Sequence, residues 1–403
     1  MPIFFKGIRF NKTYEDIISI ESNFPQALPL GFINAEINYL FDNNENFATY
    51  TPSLRKRRGF SNTIGISKED FLIRKNGYLD SLNEDKSFRR APKIKYLNHN
   101  SRLKAKLAFT TFLSQAYILN PFFEKMKIPF IFTLYPGGGF GINNKYSDRC
   151  LKDIFKNKYF RKVIVNHNFT KDYLIRKKLC EESDIEFIYG VPLQFKNSQI
   201  DLSKKLYYKN GKNTFDICFV AFKYDSIGLS KGFDLFIESI KKIKKLLSNN
   251  LNDIHFHIIG NYDREIIDIR EIEGNIHFYG PKPPNWLENF YYKMDISVNP
   301  VRANIIYPGI FDGFPMGVEQ SLFGVALFTT DEMNLNNNYF YYKKDEFIKI
   351  ELDSNNIAEN LLYFYENTND LYKLANKGRE KTLILYDIKK RMSKIQKLIS
   401  ENI

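Results

Sequence analysis

Cysteine is scarce. Cys150, Cys180 and Cys218 are the only three, far apart and in no CxxC pair. An odd, scattered set supports neither a disulfide framework nor a cysteine metal site, and it suits a reducing cytoplasm. Long apolar runs are absent too. No stretch reaches the roughly 18 residues that a spanning helix needs, so membrane contact is expected to be peripheral. The opening residues, MPIFFKGIRFNKTYEDII, lack the architecture of a signal peptide. The five histidines form no metal constellation, and His255 and His257 alternate along one strand, as structural residues would.

The chain has 403 residues, which suits two domains rather than one core. It is 43% hydrophobic and 16% aromatic, a globular composition. The abundance of Lys, Asn, Ile, Phe and Tyr looks like AT-biased coding, which discounts part of the basic and aromatic signal. The net charge of +13 suits nucleic acid, anionic lipid or phosphorylated small molecules, and does not choose among them. No nucleic-acid-binding motif is recognisable, so no nucleic-acid partner is expected.

Residues 1–90 carry no clear pattern. Pro29 to Ile33 reads as the opening of a strand, and Arg55 to Arg58 as a basic cluster in a loop. From there the alternation sharpens: helices over 101–126, a strand at 128–134, a helix at 147–157, strands at 162–165 and 185–189 with a helix at 170–178 between them. A polar, lysine-rich stretch, 196–213, is the candidate linker. The alternation then restarts with strands at 216–220, 254–259, 276–279, 296–298 and 325–329, and helices at 233–247, 286–293 and 318–323. The tail, 356–400, is mostly helical. Strands alternating with helices imply parallel sheets with crossovers. The expected fold class is therefore α/β, with two doubly wound Rossmann-like domains facing a cleft. We assign residues 1–200 to the first domain, 201–385 to the second, and 386–403 to a C-terminal helix returning to the first.

Two stretches of the second domain carry chemistry. In FDGFPMGVEQSLFGVALFTTD (311–331), Asp312 and Glu319 flank a Gly313-Phe314-Pro315-Met316-Gly317 turn that leads into a helix and then a strand. Unpaired N–H groups at such a helix start favour a diphosphate, and the carboxylates suit sugar or ribose hydroxyls. Acidic residues that merely complement a helix dipole are the plainer alternative. In AFKYDSIGLSKGFDLFIESI, Lys223 and Lys231 flank a strand-to-helix turn, as phosphate-binding point charges would. Solvated lysines are the plainer alternative there.

In order, KGFDLFIESI, IHFHIIGN, IHFYGP, MDISVNP and DGFPMGVEQSLFGVALFTTD resemble the nucleotide-sugar domain of GT-B glycosyltransferases, in the retaining family 4, glycosyl transferases group 1. The likeness covers about residues 160–395. It implies that Lys231 holds the donor diphosphate with Lys223 as second cation, and that Glu319 binds the donor ribose. Asp312 stands where the family's first glutamate contacts the transferred sugar. Gly313, Phe314, Pro315, Met316 and Gly317 would line sugar and phosphate, with Gly280 of IHFYGP among the donor residues. Asp312, Glu319 and Lys231 are thus the catalytic candidates.

This chain departs from the family pattern in its first carboxylate, an Asp, in a shorter carboxylate spacing, and in Tyr135, which stands where a histidine is common. No Asp-x-Asp occurs, so no metal and no other cofactor is expected. Lysines and helix amides would neutralise the leaving diphosphate.

The YPGGGFG loop lacks the third glycine of a dinucleotide fingerprint, since position 142 is Ile. Tyr135, Gly137, Gly138 and Gly139 are expected to form a flexible acceptor-side loop, a plain turn being the alternative. Lys241 to Lys245 reads as a solvated helix face. Arg55 to Arg58, Arg89-Arg90 and Lys104/Lys106 are candidates for a surface meeting anionic lipid. The expected partners are a nucleotide-sugar donor, a glycan or lipid-linked acceptor and an anionic membrane surface, and the expected place is the cytoplasm, at the inner face of the membrane. A non-catalytic GT-B protein that binds nucleotide-sugar or glycan is the alternative.

Overall fold

The computed structural model describes residues 13–26, 31–58, 62–84, 92–248, 251, 253–303 and 317–403. Its first part runs β1 (Thr13–Ile20), α1 (Phe32–Asn43), β2 (Phe47–Pro52), the short antiparallel pair β3 (Arg55–Lys56) and β4 (Thr63–Ile64), α2 (Lys68–Glu84), β5 (Ile94–Leu97), β6 (Leu103–Thr111), α3 (Leu113–Met126), β7 (Phe130–Leu134), α4 (Lys145–Phe155), β8 (Phe160–Val165), α5 (Asn168–Arg176) and β9 (Ile185–Phe187). After a ribbon of β10 (Tyr207–Tyr208) and β11 (Gly211–Lys212) come β12 (Phe215–Val220), α6 (Phe233–Leu246), β13 (Ile254–Ile259), β14 (Ile276–Phe278), α7 (Pro284–Tyr291), β15 (Ile296–Asn299), α8 (Val318–Ser321), β16 (Ala326–Thr329), α9 (Leu335–Tyr339) and β17 (Ile348–Lys349). Three helices close the chain: α10 (Ser354–Glu366), α11 (Thr368–Leu385) and α12 (Ile388–Asn402).

The first sheet has the order β5-β2-β1-β6-β7-β8-β9, every neighbour parallel. The second has the order β14-β13-β12-β15-β16-β17, again all parallel. In both, the chain starts mid-sheet, walks to one edge, then returns past its start to the other. That is doubly wound topology, which opens a crevice at the carboxyl ends of the strands where the direction reverses.

Burial explains the strands. β7 (FIFTL) and β16 (ALFT) are buried at every position, as strands covered on both faces must be. Helix α6 buries Phe233, Phe236, Ile237, Ile240 and Ile243 at helical spacing, while Lys241, Lys242, Lys244 and Lys245 keep partial or full exposure. Helix α12 buries Met392, Ile395, Leu398 and Ile399 in one cluster with Ile17, Phe47, Leu107 and Ile131 of the first sheet. The end of the chain therefore returns to the first domain. Another cluster joins Leu134 and Val165 of the first part to Leu322 and Phe323 of the second.

Three sequence expectations need correction. Residues 103–111 are not helical but form β6, between β1 and β7. LKAKL spaces its leucines four apart, as a helix would, and alternates apolar with Lys, as a strand would; pairing with two neighbours decides. Phe32 and Ile33 open α1 rather than a strand, and Pro29 and Leu30 lie outside the described residues. Arg55 sits in β3, not a loop, and donates to the Asn98 carbonyl at 2.9 Å. The Arg57 guanidinium lies 3.7 Å over the Tyr117 ring and donates to the Tyr117 carbonyl at 3.0 Å, so both arginines serve the fold. Lys106 pairs with Asp16 at 3.0 Å, and Arg89 and Arg90 lie outside the described residues.

Candidate functional site

At the carboxyl end of β12, the chain must turn into α6 through residues 221–232. Side chains brought from elsewhere lock that turn. Asn261, just past β13, accepts from the Lys223 backbone N–H at 2.6 Å and donates to the Lys223 carbonyl at 3.2 Å. The Asp225 carboxylate accepts from the N–H of Leu229 at 2.8 Å and of Ser230 at 3.0 Å, and from the Ser230 hydroxyl at 2.7 Å. Hydrogen bonds to the charged form hold its pKa below the ordinary value, against a burial effect that raises it. Arg302, past β15, forks onto Asp234 at 2.6 and 2.7 Å and donates to the Leu229 carbonyl at 2.7 Å. Gly232 has φ +72°, and a Cβ there would lie 2.0 Å from the Pro300 carbonyl oxygen. Backbone and β15 meet so closely that only glycine fits.

This lock places Lys231, which is 6% exposed. Its ammonium lies 5.3 Å from the centroid of the Tyr224 ring. Tyr224 is itself 71% exposed and Phe222 54%, their rings 5.4 Å apart. The Lys223 side chain is partly exposed.

The second stretch lies at the end of β15 and the start of α8. Gly317 has φ +77°, and a Cβ there would lie 2.5 Å from Asn299 Nδ2. Asp312, Gly313, Phe314, Pro315 and Met316 lie outside the described residues. The helix expected over 318–323 is the single turn Val318–Ser321. So short a helix has little aligned dipole, which weakens the expectation of an anion site at its start. Glu319 stands in that turn, partly buried, and its Oε1 accepts from the Gln194 backbone N–H at 2.8 Å. Burial raises its pKa, and the Gln194 bond opposes the rise. Gly280 follows β14 with φ +69°, and its carbonyl accepts from the Gly260 N–H at 3.3 Å.

Across from this group, the loop after β7 is tightly anchored. Gly137, Gly138 and Gly139 all have positive φ. The Ser114 N–H donates to the Gly138 carbonyl at 2.9 Å, and a Cβ on Gly138 would meet the Phe112 ring at 2.3 Å. Tyr135 is buried; its hydroxyl accepts from Arg391 at 3.0 Å and donates to Glu36 at 3.4 Å. Burial drives the phenol pKa upward.

Lys223, Lys231, Gly280, Gly317 and Glu319 thus gather at the strand ends of the second sheet, and Tyr135 to Gly139 at those of the first. Sequence reasoning missed Asp225, Asn261, Arg302 and Gln194. Of these, only Asp225, followed by backbone amides and Ser230 in a turn, carried a local signal. In the second sheet the histidines bond one another and their neighbours: His257 of β13 bonds Asp216 at 2.8 Å and Tyr279 at 3.0 Å, and His255 bonds His277 of β14 at 3.1 Å, while His167 lies buried just past β8. Among the described residues, no group of three or more His, Cys, Asp or Glu could hold a metal ion, and no helix is long and apolar enough to cross a membrane.

Residues 212–381 match the family glycosyl transferases group 1. No curated protein matches the chain in sequence. Solved structures match almost end to end. Anabaena HepE in complex with UDP has a TM-score of 0.64 at 11% identity, with 96% of this chain and 100% of that one covered. A glycosyltransferase from Rickettsia africae ESF-5 has a TM-score of 0.61 at 14% identity, covering 98% and 99%. Sucrose-phosphate synthase from Thermosynechococcus elongatus has 0.59 at 12%, covering 96% and 99%. At such identities the likeness is one of fold. Two parallel sheets of Rossmann order and a last helix that crosses back give this chain the GT-B fold, and its residues 212–381 resemble the glycosyl transferases group 1 family.

Proposed function

We propose that the protein transfers a sugar from a nucleotide-diphospho-sugar to an acceptor hydroxyl, with retention of configuration and without a metal. The carrying observation is the lock on the 221–232 turn: Asp225, Asn261 and Arg302 fix Lys231 at the carboxyl ends of the second sheet, the same end that bears Glu319. Charge builds on the leaving diphosphate in the transition state, and an ammonium already in position costs no reorganisation then. Lys223 supplies the second cation and Glu319 accepts from ribose hydroxyls, and the contact to the transferred sugar is assigned to Asp312 by the family resemblance alone. The leaving phosphate takes the acceptor proton, because the Tyr135 hydroxyl is engaged by Arg391 and Glu36. That HepE is solved with UDP, and with UDP and glucose, supports a nucleotide-sugar donor. The acceptor is a glycan or lipid-linked saccharide of a surface polysaccharide, met in the cytoplasm at the inner face of the membrane.

A thermal-shift panel of UDP-, GDP- and ADP-sugars tests this. A true donor at 100 times its Kd adds about 2.7 kcal/mol to the native state and raises Tm. Glu319→Ala is expected to lose both the shift and turnover. A second reading, non-catalytic binding, draws on the Gln194 N–H occupying one Glu319 oxygen. A nucleotide-sugar that binds but is neither hydrolysed nor transferred would favour it.

A further inference from the structure

Gln194 lies between the two sheets in sequence and bonds to both domains. Its backbone N–H donates to Glu319 Oε1 at 2.8 Å, in the second. Its side-chain Oε1 accepts from the Gly31 N–H at 3.2 Å, at the start of α1 in the first. Among the described residues α1 has no side-chain cap and no acidic residue in its first turn, and this carbonyl accepts from its N-cap N–H.

The neighbours of Gln194 leave it little slack. Leu193 is buried, and the Phe195 ring packs edge-on against Phe323 at 5.1 Å and Tyr291 at 6.0 Å. Upstream, the Gly190 carbonyl accepts from Arg391 Nη1 at 3.2 Å. Arg391 Nη2 reaches Glu36 of α1 at 3.4 Å. The connecting segment is therefore tied to α1 at two points, and to Glu319 at one.

We propose that Gln194 is a positioning residue that couples donor binding at Glu319 to helix α1 of the acceptor domain. This rests on the donor reading above. Glu319 Oε1 is taken by the Gln194 amide, while Oε2 has no partner among the described residues. The amide fixes the carboxylate plane, which sets where Oε2 meets a ribose diol. A diol that immobilises Oε2 also immobilises the amide on Oε1, and with it the carbonyl that holds Gly31. Coupling between sites is reciprocal, so whatever orders Glu319 orders the start of α1, and the converse.

The test is hydrogen exchange of residues 31–43 with and without UDP, GDP or ADP, beside nucleotide affinity by calorimetry. In the wild type, the nucleotide that binds is expected to slow exchange in the first turn of α1 severalfold. Gln194→Met keeps the length and the backbone amide but removes the carbonyl. It is expected to bind that nucleotide within about threefold of wild type and to lose the response of α1. Gln194→Ala should behave alike. A merely structural role would lower Tm without selectively erasing that response. If the wild type binds nucleotide while α1 is indifferent, or if Gln194→Met keeps the response, the coupling is refuted and the donor reading stands. If the wild type binds no nucleoside diphosphate, the donor reading itself falls and the coupling falls with it.

Discussion

Lys231 owes its position to the hydrogen bonds of Asp225, Asn261 and Arg302 within the 221–232 turn. Tyr224 sets an exposed ring 5.3 Å from the ammonium. A cation–π contact at an exposed site contributes about 0.5–1 kcal/mol, whereas a hydrogen bond to a charged group contributes about 1.5–3 kcal/mol. Lys231→Ala is therefore expected to weaken nucleoside diphosphate binding about 10- to 100-fold, and Tyr224→Ala about two- to fivefold. Calorimetry with the bound nucleotide compares them, and an affinity unchanged in Lys231→Ala would mean that the ammonium does not hold the diphosphate. Gly232→Ala acts on the same lysine through the backbone. The left-handed conformation alone costs a non-glycine residue about 1–2 kcal/mol. The carbonyl of Pro300 in the path of the new Cβ adds to that. Urea unfolding should show a loss of about 2 kcal/mol or more, with nucleotide affinity falling too as the turn shifts. A variant as stable as wild type would mean that the turn relaxes freely.

At the level of elements, the end of β1 holds the most informative titrating group. Glu21 is buried at the reversal point of the first sheet, where Gln115 donates to it at 2.7 Å and the Thr111 hydroxyl at 2.9 Å. Burial lifts its pKa to about 8, the two hydrogen bonds resisting. A carboxyl whose folded pKa lies above its unfolded value stabilises the fold fully below the unfolded value. It loses that contribution as pH rises through the folded one. Wild type is thus expected to lose stability relative to Glu21→Gln between about pH 4.5 and pH 8, and not beyond. Melting curves of both proteins across that range decide it, and a constant gap would place the group in contact with water.

The same neighbourhood shows what the sequence leaves open. β7, β12 and β16 were legible because largely apolar runs bounded by turns suit strands buried on both faces. β6 was not, because Lys104 and Lys106 fit both periods. Lys231 and Glu319 stood out through their local setting, at turns beside strand ends. Asn261 and Gln194 did not, because each meets its partner across a long stretch of chain, 38 residues from Lys223 and 125 from Glu319.

For the molecule as a whole, the decisive step is the return of α12. Its apolar stripe completes the core beneath the first sheet, and Arg391, 5% exposed, completes the polar layer above it. One guanidinium there serves the Gly190 carbonyl, the Tyr135 hydroxyl and the Glu36 carboxylate. Removing one partner of a buried ion pair costs about 3–5 kcal/mol, because the remaining charge stays buried without its counter-ion. Arg391→Met keeps the aliphatic stem and removes the charge, so it is expected to lower stability by about that amount and to speed amide exchange along residues 388–402. Lys394→Met is the control on the same helix. Its ammonium donates to the Phe187 carbonyl at 2.8 Å from a partly exposed position, and its loss should cost under about 1 kcal/mol. Denaturant unfolding separates the two. If both variants fall equally little, the apolar stripe alone fastens α12, and Arg391 is dispensable to the joint between the domains.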